Sequence, residues 1–386
     1  MSSTSELSSF AARLRESILM SEWGTMSSLN TNPGAGDTEF ETLALQLFAL
    51  QIKHNEPYRR LCEARGARPD KVGHWTGIPA APTSAFKEFD LSCLPAEEQT
   101  TVFHSSGTTW GRPSRHFHNA GSLAVYEASL LRWFDAHFQL PIGNCQLAML
   151  TPPLTQAPHS SLVHMFETIG RAGGRDGSAF VGKVAKDGAW TLDAKAALEW
   201  LRKASGSGQP LLMLGTAFSF VHLLDYLAEQ ELRFELPPGS CALETGGYKG
   251  RSRSMPKPAL HALISQRLGI PPAQIVCEYG MCELSSQAYD CAIGSSRLPH
   301  HGSRITDHAS RVFRFPPWAR VQIVSPETRG EVSEGETGLI RVFDLANVYS
   351  VMAIQTEDLG TRSGDGFALA GRAALAAPRG CSLMAV

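Results

Sequence analysis

The chain carries no charge excess. Its formal net charge is -2 and no block of like charge runs along it, so a nucleic acid is not an expected partner. It has no apolar run near the ~20 residues that a membrane span needs. Its start, Met1-Ser2-Ser3-Thr4-Ser5-Glu6, has neither the basic residues nor the apolar stretch of an export signal. It has eight cysteines but no Cys-x-x-Cys pair, which speaks against a zinc site or a thioredoxin-like motif. Scattered thiols without an export signal fit a reducing compartment. A soluble cytoplasmic protein is therefore expected. There is also no internal repeat, and no low-complexity tract beyond the N-terminal serines.

What is present is an ordinary globular composition, 43% apolar and 19% charged over 386 residues. That length buries a large core, in one big domain or a few smaller units. The spacing predicts a weak helix at about 5–20 and a turn at Asn32-Pro33-Gly34. A buried helix follows from Thr38, broken near Asn55-Glu56-Pro57. Residues 68–95, rich in proline, read as loop with short elements. Ala120–Phe138 reads as a long amphipathic helix. Strands and helices then alternate. Strands are expected at Gln146–Leu150, Ser178–Val184, Pro210–Leu214, Ser240–Glu244 and Gln274–Glu278, with helices near 160–171, 193–204, 217–230 and 258–268. This repeated order predicts an α/β protein with a largely parallel sheet. Arg320–Val324, Leu339–Phe343 and Val348–Ile354, separated by turns, predict an antiparallel β subdomain. The expected units are an N-terminal segment at 1–37, an α/β core at 38–310 and a β subdomain with the C-terminal segment at 311–386.

Three segments carry chemistry. Ser105-Ser106-Gly107-Thr108-Thr109 is dense in small and hydroxyl residues, which let backbone N–H groups approach an anion. It is not a Walker A loop, because no Gly-Lys-Ser/Thr follows at the required spacing. Arg112 or Arg115 would neutralise phosphate instead. Glu278-Tyr279-Gly280-Met281-Cys282-Glu283 closes a predicted strand, and ligands of open α/β sheets sit beyond strand C-termini. There Glu283 is suited to a hard cation such as magnesium, and Tyr279 to stacking on a base. Asp358, in Thr356-Glu357-Asp358-Leu359-Gly360, can accept two ribose hydroxyls. Taken singly, each segment is equally a surface turn, a strand end or a turn aspartate. His300, His301, Asp307 and His308 lack the paired spacing of a metal site and read as a polar surface loop.

In combination and order, the segments resemble the adenylate-forming superfamily of acyl-CoA synthetases, luciferase-type ligases and peptide-synthetase adenylation domains. From about Phe40 onward the chain more closely resembles the acyl-protein synthetases of bacterial bioluminescence (LuxE-type). The supporting segments include Asn55-Glu56-Pro57-Tyr58, Pro113-Ser114-Arg115-His116, Gly215–His222, Gly246-Gly247-Tyr248-Lys249-Gly250, Glu278–Gln287, Thr356–Gly360, Gly371-Arg372 and Arg379-Gly380-Cys381-Ser382-Leu383.

The resemblance implies an α/β adenylate-forming fold, with parallel-rich sheets flanked by helices plus a β subdomain. It implies ATP-dependent activation of a fatty acid to an acyl-adenylate, with ATP and Mg2+ as cofactors. Ser105, Ser106, Gly107, Thr108, Thr109 and Arg115 would hold the phosphates. Gly246, Gly247, Glu278, Tyr279, Gly280 and Met281 would line the nucleotide pocket, Asp358 would bind ribose, and Glu283 the metal. Lys249 and Arg372 are the expected catalytic cations, and Cys381 the acyl acceptor ahead of a reductase or carrier-protein partner. His104, Phe218 and His222 are the candidates for contacting the acid.

The chain departs from the family pattern at Trp110, which precedes the loop's next glycine, and at Cys282, where a threonine is usual. It also departs at Ala374, where relatives carry a hinge aspartate. Ending soon after Cys381, it is expected to lack the C-terminal lid domain with its catalytic lysine. Two alternatives remain at this point. One is a ligase passing an aryl or short-chain acid to CoA or a carrier protein, and the other is a non-catalytic acyl- or nucleotide-binding subunit.

Overall fold

A computed structural model describes residues 4–20, 35–105, 112–138, 145–173, 179–246, 255–291, 293 and 311–373. The N-terminal part is helical, with α1 (Thr4–Met20), α2 (Ala35–His54) and α3 (Glu56–Ala64). Asn55 ends α2 and caps α3, its side chain accepting the Tyr58 N–H at 3.1 Å, with proline in the first turn behind it. The expected break is thus a restart within one residue. Next come β1 (Ala81–Pro82), α4 (Ala85–Glu88), and the strands β2 (Thr101–His104) and β3 (Arg115–His118), followed by α5 (Ala120–Phe138).

The β–α alternation begins with β4 (Gln146–Met149), α6 (Ser161–Ala172) and β5 (Ala179–Phe180). A hairpin, β6 (Gly182–Val184) and β7 (Trp190–Leu192), then leads to α7 (Ala194–Ser207), β8 (Leu211–Thr216) and α8 (Ala217–Glu229). After these come β9 (Cys241–Thr245), α9 (Lys257–Leu268), β10 (Ile275–Tyr279) and β11 (Ala288–Tyr289). The expected strand at 178–184 is thus divided. Its first half joins the main sheet, while its second half pairs with β7.

The main sheet runs β11-β10-β9-β8-β4-β5 and is parallel except at β11. A parallel sheet covered on both faces needs apolar residues on both sides of each strand. In β8, Leu212 and Leu214 face one core while Leu211 and Met213 face the other. In β9, Cys241 and Leu243 oppose Ala242 in the same way. One face is covered by α7, α8 and α9 through Leu201, Leu224 and Ile264, and the other by α5 and α6 through Leu130, Phe134 and Phe166. Among the described residues no helix is long and apolar enough to cross a membrane.

The second sheet contains β12 (Ala319–Val324), β13 (Thr337–Asp344), β14 (Ala353–Ser363) and β15 (Gly366–Arg372). It is antiparallel except that β1 joins β14 in parallel at Ile354 and Gln355. Residues 348–352, expected to begin a strand, form the turn between β13 and β14 instead. Thr356–Gly360, which reads as a turn in the sequence, lies inside β14.

The two sheets are joined by a buried polar knot. The fully buried Asp344 at the end of β13 accepts the N–H groups of Ser285 and Ser286 at 2.9 and 2.8 Å, the Ser286 hydroxyl at 2.7 Å and the Ala346 N–H at 3.0 Å. Asn347 donates to the Glu283 carbonyl at 2.8 Å, and its side-chain oxygen accepts the Ser285 hydroxyl at 2.6 Å. Gln51 of α2 donates to the Asn347 carbonyl at 2.7 Å and accepts the Met352 N–H at 3.0 Å. The turn at 348–352 therefore spends its backbone on side chains rather than on a strand ladder. Removing one acceptor from such a network strands several buried donors, each costing about 1–3 kcal/mol. Asp344→Ala is therefore expected to lower unfolding free energy by about 3 kcal/mol or more, measured by urea denaturation. A loss below 1 kcal/mol would mean that the knot does not carry the junction of the sheets.

Candidate functional site

A cavity of about 720 Å³ opens beyond the C-terminal ends of the parallel strands, where open α/β sheets bind ligands. Its floor is the end of β9 (Glu244, Thr245 and Gly246) and of β10 (Cys277, Glu278 and Tyr279), continuing through Gly280–Glu283. Asp358, Leu369, Gly371 and Arg372 from the second sheet form the facing wall. His104, Ser105 and Pro113 form a third side, from the stem of the loop between β2 and β3. The remaining wall is the segment Gln156–Ser161, with Trp190, Ala217, Lys257 and Leu260.

The Tyr279 hydroxyl donates to Asp358 at 3.0 Å. Asp358 lies directly across from Arg372 in the β14–β15 ladder. The Arg372 guanidinium approaches Asp358 at 3.2 Å through Nε and Glu357 at 2.8 Å through Nη2. The aspartate is thereby held between a phenol on one sheet and an arginine on the other. Tyr279 is itself fixed by edge contacts with Phe313, Phe315 and Phe367.

Glu278 is buried and accepts the Thr245 hydroxyl. Burial, together with nearby Glu244 and against the Thr245 bond, pushes its carboxyl up to about 7. Gly280 follows because a Cβ there would sit 2.1 Å from Glu278 Oε1. Gly246, at φ +79°, ends β9 in a conformation that other residues rarely adopt. Glu244 meets the buried His261 at 3.2 Å. Burial opposes the charge of Lys257, but Cys277, Asp290 and Glu244 outweigh it and hold the ammonium above its usual range. Lys257 lies 3.5 Å from Asp290 and above the Phe313 ring.

Glu283 lines the cavity at 1% exposure, and the Cys282 thiol donates to its carboxylate at 3.2 Å. The cysteine thus supplies a donor to this carboxylate. The Cys282 carbonyl accepts from His116 Nδ1 at 2.8 Å. A carbonyl only accepts, so His116 carries its proton on Nδ1, and burial pulls its pKa down to about 4. His116 thereby joins the β2–β3 hairpin to the Glu283 segment.

Of the residues expected from sequence, His104, Ser105, Gly246, Glu278, Tyr279, Gly280, Met281, Glu283, Asp358 and Arg372 line this cavity. Ser106, Gly107, Thr108, Thr109, Gly247, Lys249 and Cys381 lie outside the described residues, as do Trp110 and Ala374. The stem of the phosphate-type loop is nevertheless pinned at the cavity edge. His104 pairs with Arg115, the Ser105 N–H donates to the Ser114 carbonyl at 3.2 Å, and the Ser114 N–H donates to the Ser105 hydroxyl at 2.8 Å. Arg115 does not line the cavity and is paired with Asp90 at 2.8 Å. Phe218 and His222, with rings 4.2 Å apart, line a separate cavity of about 430 Å³. Sequence reasoning missed Lys257, Cys277, His159 and Trp190. Lys257 follows a proline that opens a helix, and the others have no spacing pattern.

This architecture is the adenylate-forming fold. The chain superposes on the open conformation of 2-hydroxyisobutyryl-CoA ligase, solved with 2-HIB-AMP and CoA, with a TM-score of 0.62 at 14% identity, covering 87% of this chain and 74% of that one. The same ligase in its thioesterification state gives a TM-score of 0.60 at 17% identity, covering 85% and 64%. In sequence the chain is similar to the long-chain-fatty-acid–luciferin-component ligase of Aliivibrio fischeri, 22% identical over 330 residues, 83% of this chain and 78% of that protein. The resemblance to acyl-protein synthetases of the adenylate-forming superfamily is thus borne out. No protein-family model matches the chain.

The buried groups set a pH dependence. Burial depresses His116 and His137 to about 4, and His118 well below its usual range. Their contribution to stability is complete above about pH 6.5 and is lost as pH falls toward 4. Glu278 acts oppositely, its contribution being complete below about 4.5 and lost as pH rises to about 7. The buried imidazoles outweigh this carboxyl, so the expected outcome is a net loss of stability on going from pH 7 to 4.5. Glu278→Gln removes the opposing contribution and should steepen that loss. Denaturant midpoints across this window test both statements.

Proposed function

We propose that the chain activates a carboxylic acid with ATP, forming an acyl-adenylate that a thiol then consumes. The observation that carries this reading is that one cavity gathers the described parts of all three motifs: Ser105, Glu278–Glu283 and Asp358. The fold shared with a ligase solved with an acyl-AMP supports it. Similarity to a long-chain-fatty-acid ligase favours a fatty acid as the substrate.

In this reading the adenosine lies against Tyr279 and Gly246, and Asp358 accepts the ribose hydroxyls. The Tyr279 and Arg372 contacts hold that carboxylate in place. The phosphates lie toward Ser105 and the loop that follows it. Magnesium fits through Glu283, because one carboxylate plus phosphate oxygens is an ordinary ligand set for this ion. When bound, it would neutralise phosphate charge and steady the leaving pyrophosphate.

The acid's carboxylate oxygen bonds to the α-phosphorus while the bond to the pyrophosphate oxygen breaks. Two anions must be brought together, so positioning and charge neutralisation carry most of the rate. Among the described residues, Arg372 and Lys257 are the Lys and Arg side chains of the wall. A thiolate sulfur next bonds to the acyl carbon, the bond to the AMP oxygen breaks, and AMP leaves. Cys381 is the proposed acceptor, with a reductase or a carrier protein receiving the acyl group from it.

Acid-dependent exchange of pyrophosphate into ATP tests the first half. Asp358→Ala should weaken nucleotide binding about tenfold or more, and Glu283→Gln should lower exchange and raise the magnesium requirement. Exchange absent across a broad acid panel, with ATP binding intact, would instead indicate a binding subunit. For the second half, ATP and acid should leave a hydroxylamine-labile acyl label that Cys381→Ser removes. Label persisting in that variant would move the acceptor to another group.

A further inference from the structure

Strands β12 to β15 carry four arginines, Arg320, Arg341, Arg362 and Arg372. Three of them pair with carboxylates: Arg320 with Asp37, Arg362 with Glu331, and Arg372 with Glu357 and Asp358. Arg341 is the exception. Among the described residues no carboxylate lies within ion-pair distance of it, and the charges that act on it are those of Arg65 and Arg329. Burial, and then these two guanidiniums, pull its pKa below the usual arginine range. Three like charges brought together without an acid repel one another.

The ladder fixes where this charge sits. Arg341 lies opposite Gln322 of β12 and Gln355 of β14, so the three side chains form one row on one face of the sheet. In the next row on that face, Phe343 packs against Trp75 and Arg320 lies over Phe40. The β13–β14 pairing shifts register at Ile340, whose carbonyl accepts the Thr356 hydroxyl at 2.7 Å and the Gln355 amide at 3.1 Å. Gln355 in turn accepts Arg341 Nε at 2.9 Å. The guanidinium is thus held by one edge, and among the described residues its two terminal nitrogens have no protein acceptor.

Gln322, beside it, is 7% exposed, and its buried side-chain oxygen has no donor. A buried amide oxygen normally finds one. Arg65, just past the end of α3, is anchored on the Ala80 carbonyl at 2.9 Å. Arg329 lies in the connection between β12 and β13. None of these residues lines either cavity.

We propose that Arg341, Arg65, Arg329 and Gln322 form a second anion site, which takes the phosphate group of a small molecule. A carboxylate brings one charge to three guanidiniums. A phosphate monoester brings about -1.5 to -2 and enough oxygens for all three. Its P–OH, or a neighbouring hydroxyl, gives the Gln322 oxygen the donor that it lacks. The site does not depend on how the nucleotide cavity is read.

Titration calorimetry of the full chain tests this, with inorganic phosphate and glycerol phosphate as ligands and acetate as the control anion, all at one ionic strength. Both phosphates should bind saturably, and acetate about tenfold more weakly or worse. Arg341→Gln should weaken phosphate binding about tenfold or more. Gln322→Glu supplies the missing carboxylate, so it should abolish binding and raise the unfolding midpoint of the ligand-free chain. Should Arg341→Gln fail to fold, Arg65→Gln and Arg329→Gln, both at exposed positions, decide in the same way. Tighter binding of glycerol phosphate marks an organic phosphate as the ligand, and equal affinities mark free phosphate. Phosphate binding that these variants leave unchanged would place it in the nucleotide cavity and overturn the proposal. Acetate binding as tightly as phosphate, or no saturable phosphate binding, overturns it too.

Discussion

A carboxylate with no exposure to water is costly unless its lone pairs are occupied, and Asp344 occupies its own with four donors, three of them from Ser285 and Ser286. Burial still raises its pKa despite those bonds. The geometry it fixes is not local. Ser285 and Ser286 follow directly on Gly280–Glu283, and Asn347 holds the Glu283 carbonyl from the same turn. The segment leaving β10 therefore cannot shift without breaking bonds to the second sheet. Tyr279 meets Asp358 across the same seam. The cavity exists because two sheets that could slide past each other are locked at one buried point.

The main sheet was legible because its strands are apolar on both faces. Pro210–Leu214 and Ser240–Glu244 read as short strands between helical stretches, and the structure has strands at Leu211–Thr216 and Cys241–Thr245. The β2–β3 hairpin was not legible. Its strands contain His104, Arg115, His116 and His118, polar residues whose burial is made possible by tertiary partners such as the Cys282 carbonyl and the Ser122 hydroxyl. No local pattern announces such partners. Residues 348–352 misled in the opposite direction. Val348, Val351 and Met352 are apolar because they are buried, yet their backbone is used by Gln51 and Asn347. Asp358-Leu359-Gly360 resembles a turn, but the aspartate pairs across the β14–β15 hairpin with Arg372, which makes it part of a ladder.

The candidate site was legible as residue types and not as an arrangement. Tyr279, Glu283 and Asp358 stand out by composition and order, and the fold brings their segments to one cavity. The cations followed only in part: Arg372 lines the cavity as expected. Arg115 stands close to the phosphate-type loop in sequence, but its neighbour across the hairpin stem and its Asp90 partner take it out of the lining. Lys257 enters the wall because α9 begins beside the end of β10, a proximity created by the strand–helix–strand crossover alone.

The charge inventory of the wall then constrains how an anionic ligand is accommodated. Among the described residues Glu244, Glu278, Glu283 and Asp358 face Lys257 and Arg372. Four carboxyls against two cations would repel a triphosphate if all were ionised and solvated. Three features offset this. Burial pushes the Glu278 carboxyl up to about 7, so it resists carrying a full charge at neutral pH. Asp358 already has the Arg372 guanidinium against it. Glu244 meets His261. The fourth, Glu283, is buried and accepts the Cys282 thiol at 3.2 Å. In the proposed reading, a divalent ion arriving with the nucleotide would meet that carboxylate and offset its charge together with that of the phosphates.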